Sequence, residues 1–127
     1  MLRRIRLELA RTKDFPEGST HHGYEFVAPL TADHHLDAEL WKKNRQVCTV
    51  HRFWPGEGDA TGQLVRTRAG HWAFSYEAGA EDDEPIHRLE DHRFVEGEYV
   101  GIREHDGQTR PFKVTSIRPV PGLSPQV

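Results

Sequence analysis

The sequence predicts an all-β chain: a small six- to seven-stranded Greek-key β-barrel with at most one short helix, a β-sandwich being the alternative. Two observations point there. Short segments of alternating or β-branched composition recur along the chain, each cut off by a stretch rich in glycine, proline or short polar residues. Two pairs of these segments, 62–77 and 97–117, read as hairpins.

The elements follow in order. In residues 4–9, Ile5, Leu7 and Leu9 face one way and Arg6 and Glu8 the other, the pattern of a half-buried strand. Residues 13–23, KDFPEGSTHHG, read as a loop, and 24–28 as a second strand ended by Pro29. The segment 31–44, TADHHLDAELWKKN, is the single helix candidate. Thr31 and Asp33 are its candidate caps and Leu36 with Leu40 its i,i+4 pair, a loop with one helical turn being the alternative. Residues 45–54, RQVCTVHRFW, return to strand composition, with Val47, Thr49, His51 and Phe53 on one face and Cys48, Val50, Arg52 and Trp54 on the other. In the first hairpin an Ala69-Gly70 turn sets Thr67 opposite Trp72, Val65 opposite Phe74 and Gln63 opposite Tyr76. The acidic stretch 77–87, EAGAEDDEPIH, is expected as an exposed loop, followed by a short strand over 86–89. Residues 1–118 form one barrel domain in this reading, and 119–127 a proline-rich C-terminal extension.

The last hairpin has two competing registers. A two-residue Asp106-Gly107 turn pairs Val100 with Lys113, which wastes the apolar pattern. A three-residue loop, His105-Asp106-Gly107, pairs Val100 with Phe112 and puts Gly107 in the left-handed position, where it carries no side-chain penalty. The second register is the expected one. Within it, GEYVGIREHDGQTRPFKVTSI over 97–117 resembles a strand pair of the six-stranded Greek-key barrels of translation-factor second domains and flavin-dependent ferredoxin reductases. The flavin-binding members carry Gly-x-Tyr-Val followed by Arg-x-Tyr-Ser. Gly97, Tyr99 and Val100 match the first motif and Arg110 and Phe112 the second, while Lys113 stands where a small hydroxyl residue is expected. The resemblance implies the barrel, and a flavin site at Tyr99, Arg110 and Phe112. A complete reductase is excluded, because the chain has no Gly-x-Gly-x-x-Gly segment and no length for a nicotinamide domain.

Composition narrows the function classes. At 127 residues the chain suits one domain, and no apolar run approaches a membrane span. No signal peptide and no membrane association are expected; with Cys48 the lone cysteine, the default address is cytoplasmic. Seventeen basic residues face twenty acidic ones, giving −3 at pH 7, a balance that argues against a dedicated nucleic-acid binder. A local patch of Trp41 with Lys42, Lys43 and Arg45 nevertheless has the stacking-plus-phosphate composition of an RNA site, which Arg52, Arg66, Arg68 and Arg110 would extend.

Nine histidines and neighbouring carboxylates offer metal ligands, with Asp33, His34 and His92 the best candidates, but none has a specific ligand spacing. Cys48 and His51 lie three residues apart on a strand, hence on opposite faces, a geometry that argues against a direct nucleophile–base pair. Neither Ser75 nor Ser116 sits in a nucleophile elbow. The expectation is a non-enzymatic binding module without a resident cofactor. Its expected partner is a protein; an RNA-binding module and a flavin- or metal-dependent enzyme are the alternatives.

Overall fold

The computed structural model describes residues 2–76, 84–85, 93–104 and 106–120. Its strands are β1 (Leu2–Leu9), β2 (Ser19–Pro29), β3 (Thr49–Phe53), β4 (Ala60–Arg66), β5 (Trp72–Ser75), the two-residue β6 (Glu84–Pro85), β7 (Tyr99–Arg103) and β8 (Thr109–Pro119). They form one antiparallel sheet in the order β6-β5-β4-β3-β2-β1-β8-β7. The chain thus leaves at one edge and re-enters at the other, so that β8 lies beside β1. In a flat sheet β3 and β7 would stand about 19 Å apart, at four strand spacings. Instead Arg52 on β3 forms an ion pair of 3.1 Å with Glu104, the residue following β7. The sheet is therefore curled into a half-barrel, broadly consistent with Greek-key-type barrels.

Alternation fills the inside of the curl. Ile5 and Leu7 of β1, Phe26 of β2, Leu64 of β4, Phe74 of β5 and Phe112 of β8 are fully buried. The Tyr24 ring packs against both Phe74 and Phe112, each with centroids 5.2 Å away. Burial of each large apolar side chain contributes roughly 1.5–3 kcal/mol.

Four expectations need correction. The second strand begins at Ser19, not Tyr24, because Gly23 continues the pairing with Glu8. An ideal Cβ there would stand 2.0 Å from the Leu7 carbonyl oxygen, so the glycine that suggested a loop is what lets the two backbones approach. The helix α1 spans only Ala38–Lys43, and its cap is Asp37, whose Oδ1 accepts the Leu40 N–H at 3.1 Å. Leu36 stands before it, bridged to Leu30, so the i,i+4 pair does not form. Residues 45–47 form a 3-10 turn rather than strand.

The fourth correction is a register. β4 and β5 pair Leu64 with Phe74 and Arg66 with Trp72, one residue away from the expected alignment. The Thr67 N–H donates to the His71 carbonyl at 2.7 Å and the Gly70 N–H to the Thr67 carbonyl at 3.0 Å, closing a three-residue loop with Gly70 at φ 84°. The β7–β8 hairpin has the expected register, Val100 opposite Phe112, and the same closure. There the Glu104 N–H donates to the Gln108 carbonyl and the Gly107 N–H to the Glu104 carbonyl, both at 2.9 Å, with Gly107 at φ 82°. The expected strand over 86–89 and most of the acidic loop lie outside the described residues, as do 121–127 of the C-terminal extension.

Candidate functional site

Charge is distributed very differently over three places in the barrel. At the end where β3 and β7 finish, Arg52 continues the inward parity of Cys48 and Val50, and Glu104 that of Val100 and Ile102. The two meet. Glu104 Oε2 accepts Arg52 Nε at 3.2 Å and Nη2 at 3.1 Å, and also the Tyr24 hydroxyl. Its Oε1 accepts Arg110 Nη1 at 2.8 Å. Glu104's side chain is fully buried and Arg52's is 7% exposed. Arg52 also reaches Glu57 at 3.1 Å, while Arg110 reaches Asp106 at 3.0 Å.

The Trp54 ring lies 4.3 Å from the Arg52 guanidinium carbon. Burial alone disfavours the charge on Arg52, but Tyr24 and Glu104 hold its proton and the net shift is upward. Asp106, then Glu104, likewise raise Arg110 despite its partial burial. Both Glu104 oxygens are occupied by donors, so the cluster is a lock between strands rather than a proton-transfer site.

At the opposite end a cleft of about 850 Å³ opens between the start of β1, the loop after β2 and the end of β8. Leu30, Phe94 and Ile117 supply its apolar wall, and Arg3, His34 and Glu96 its polar groups. Glu96 Oε2 accepts the Ile117 N–H at 3.0 Å. Arg3 is half-buried and has no carboxylate partner among the described residues.

The third place is the outer face of β1 and β8. Arg4 stands directly opposite Arg118, and both are exposed. Neither has an ion pair among the described residues, whereas the neighbouring Arg6 is held by Glu8 at 2.7 Å and Glu25 at 3.2 Å. These side chains, with Thr115 and Ser116, line a depression of about 420 Å³.

The residues singled out from the sequence are placed as follows. Tyr99 is 57% exposed on the outer face of β7, while Phe112 is fully buried on the inner face of β8. Arg110 shares the inner face with Phe112 but is engaged by Glu104, Asp106 and Gln108. The three do not converge on one pocket. Asp33 and His34 are exposed neighbours in the loop after β2, His92 lies outside the described residues, and no group of three metal-ligating side chains occurs among the described residues.

The expected stacking patch is corrected by Trp41 itself. It is 6% exposed, donates its Nε1–H to the Leu64 carbonyl at 3.0 Å and packs edge-on against Trp72 at 5.3 Å. Arg45 lies over its ring at 4.7 Å, so no face is left for a base. Lys42 pairs with Glu39 at 3.8 Å, and Lys43 is exposed. Cys48 is fully buried and its thiol is pushed up to about 11 by desolvation, while His51 faces the other way toward Asp59 at 3.2 Å.

Sequence reasoning missed the Arg52–Glu104 pair. Its signal was present: two opposite charges, each at the inward parity of an otherwise apolar strand end, where only a mutual partner offsets burial.

Comparison with protein-family models, curated proteins and solved structures gives no match, so the reading of these sites rests on their geometry. No helix among the described residues is long and apolar enough to cross a membrane.

Proposed function

We propose that the chain is a non-enzymatic binding module that docks an acidic segment of a protein partner on the outer face of β1 and β8. The observation that carries this reading is the pair Arg4–Arg118. Like charges directly opposite on neighbouring strands repel, and each such pair destabilises a sheet by a few tenths of a kcal/mol. A carboxylate-bearing segment laid along the face relieves that repulsion, and the Thr115 and Ser116 hydroxyls beside it add hydrogen-bonding groups. The ion pairs of Arg6 with Glu8 and Glu25 leave these carboxylates less repulsive to such a segment.

A glutamate-rich synthetic peptide, titrated at several salt concentrations, tests the reading; pull-down from lysate then supplies natural candidates. Binding should weaken with salt and fall by about tenfold or more when Arg4 and Arg118 are both replaced by glutamate. The reversal Lys13→Glu, at the other end of the barrel, should leave it unchanged. Equal peptide binding by the double variant removes the proposal. Tighter binding of a single-stranded RNA of equal length, with a steeper salt slope, replaces the protein partner by a nucleic acid.

A further inference from the structure

The loop after β2 repeats, with one change, the closure already described in the two hairpins. The Thr31 N–H donates to the His35 carbonyl at 2.8 Å and the His34 N–H to the Thr31 carbonyl at 3.0 Å. Residue 34 therefore occupies the position that Gly70 and Gly107 hold in the other two loops. His34 adopts φ 68° there, and it is the only non-glycine residue with positive φ among the described residues. Glycine would sit in that place without penalty. A bulkier residue held there brings a side chain to a defined point, and this imidazole lies at the border of the cleft with Arg3 and Glu96. The loop is anchored from the other wall, because the Phe94 N–H donates to the His34 carbonyl at 2.8 Å.

We infer that this cleft is a binding site for a small organic anion, a carboxylate carried on an apolar body. Its volume of about 850 Å³ lies in the range of small-molecule sites. The half-buried Ile117 and the edge of Leu30 form the apolar wall that receives the body of the ligand; Phe94 beside them is fully buried. Arg3 supplies the cation. It has no counter-ion among the described residues, and the guanidinium fork matches a carboxylate in two parallel hydrogen bonds. Glu96 forms no ion pair with Arg3 among the described residues; its Oε2 accepts the Ile117 N–H, which holds the carboxylate against β8. His34 adds a second nitrogen donor at the rim. Arg3 lies one residue from Arg4, and side chains alternate along a strand, so this site and the outer face are served by opposite sides of β1 and are independent.

The probe is octanoate, with octylamine and octanol as matched controls, titrated into the intact isotope-labelled chain and followed by amide chemical shifts. Octanoate should shift the amides of Leu30, Thr31, His34 and Phe94 and saturate; octylamine should not. Arg3→Gln should weaken octanoate by about tenfold, the loss of one charge-assisted contact. His34→Gly should weaken it by about threefold while raising the melting temperature, because glycine suits the left-handed backbone; loss of folding therefore cannot mask the result. Lys13→Glu, at the far end of the barrel, should leave octanoate binding unchanged. Equal binding of octylamine or octanol, shifts confined to other residues, or full affinity in Arg3→Gln would each overturn the inference.

Discussion

At one end of the barrel two arginines and a buried glutamate are consumed by each other; at the other an arginine of the same sheet has no ion-pair partner among the described residues and stands beside an apolar wall. Arg52, Arg110 and Glu104 tie β3, β7 and β8 together, and the Tyr24 hydroxyl completes the cluster. Arg3 ties nothing among the described residues. The contrast separates two uses of charge in one small protein. Buried and mutually satisfied, charge fixes which strand ends meet; half-buried and without an ion pair among the described residues, it carries the anion contact proposed above.

The largest test of that contrast is Glu104→Gln set beside Arg3→Gln. Removing the carboxylate leaves Arg52 buried with only Glu57 as counter-ion, and should cost about 3 kcal/mol in urea denaturation. Arg3→Gln should change stability by less than about 0.5 kcal/mol. Equal losses would erase the distinction between the two ends. A smaller loss, about 1.5 kcal/mol, is expected for Tyr24→Phe, which removes a hydrogen bond to a charged group while keeping the ring between Phe74 and Phe112.

The left-handed loops sharpen the comparison in the opposite sense. Gly107→Ala at the locked end should destabilise by about 1 kcal/mol, and His34→Gly at the open end should stabilise by about the same amount. Thermal melts of the two variants should therefore move in opposite directions. Acid provides the smallest effect. His22, packed between Phe15 and Trp54 at the locked end, is shifted down, first by burial and then by His21 and Arg52. A depressed imidazole contributes stability that is present above the unfolded value of about 6.5 and is lost as pH falls through the folded value. Denaturation between pH 7.5 and pH 5 should show this loss, and His22→Gln should flatten it.

The same two ends show how far the sequence could be read. The β7–β8 register was legible because Val100, Ile102, Phe112 and Val114 fit only one alignment, and Gly107 marks the loop. The β4–β5 register was not, although its loop closes identically. Its apolar residues, Leu64 with Val65 and Trp72 with Ala73 and Phe74, occupy both parities, so alternation could not choose between alignments one residue apart. Trp41 illustrates a second limit. Beside Lys42, Lys43 and Arg45 it reads as a surface aromatic, yet one helical turn is enough to point the indole inward to Trp72 and the lysines outward. The open cleft left no local signature at all, since its walls come from β1, the loop after β2, residues 94–96 and β8.

The pairing of β1 with β8 also governs how the chain reaches this structure. Ile5 aligns with Phe26 on one side and with Ile117 on the other, so this interior strand needs one near neighbour and one remote one. The β1–β2 contacts close a short loop, but the second edge of β1 must wait for a segment at the far end of the described chain, across a much larger entropic gap. Such dependence on distant pairing places refolding in the millisecond-to-second range characteristic of β topologies, and leaves β1 with an unpaired, extendable edge until β8 arrives. In that interval the exposed edge is open to a strand from another molecule, and crowding during refolding should favour aggregation over recovery.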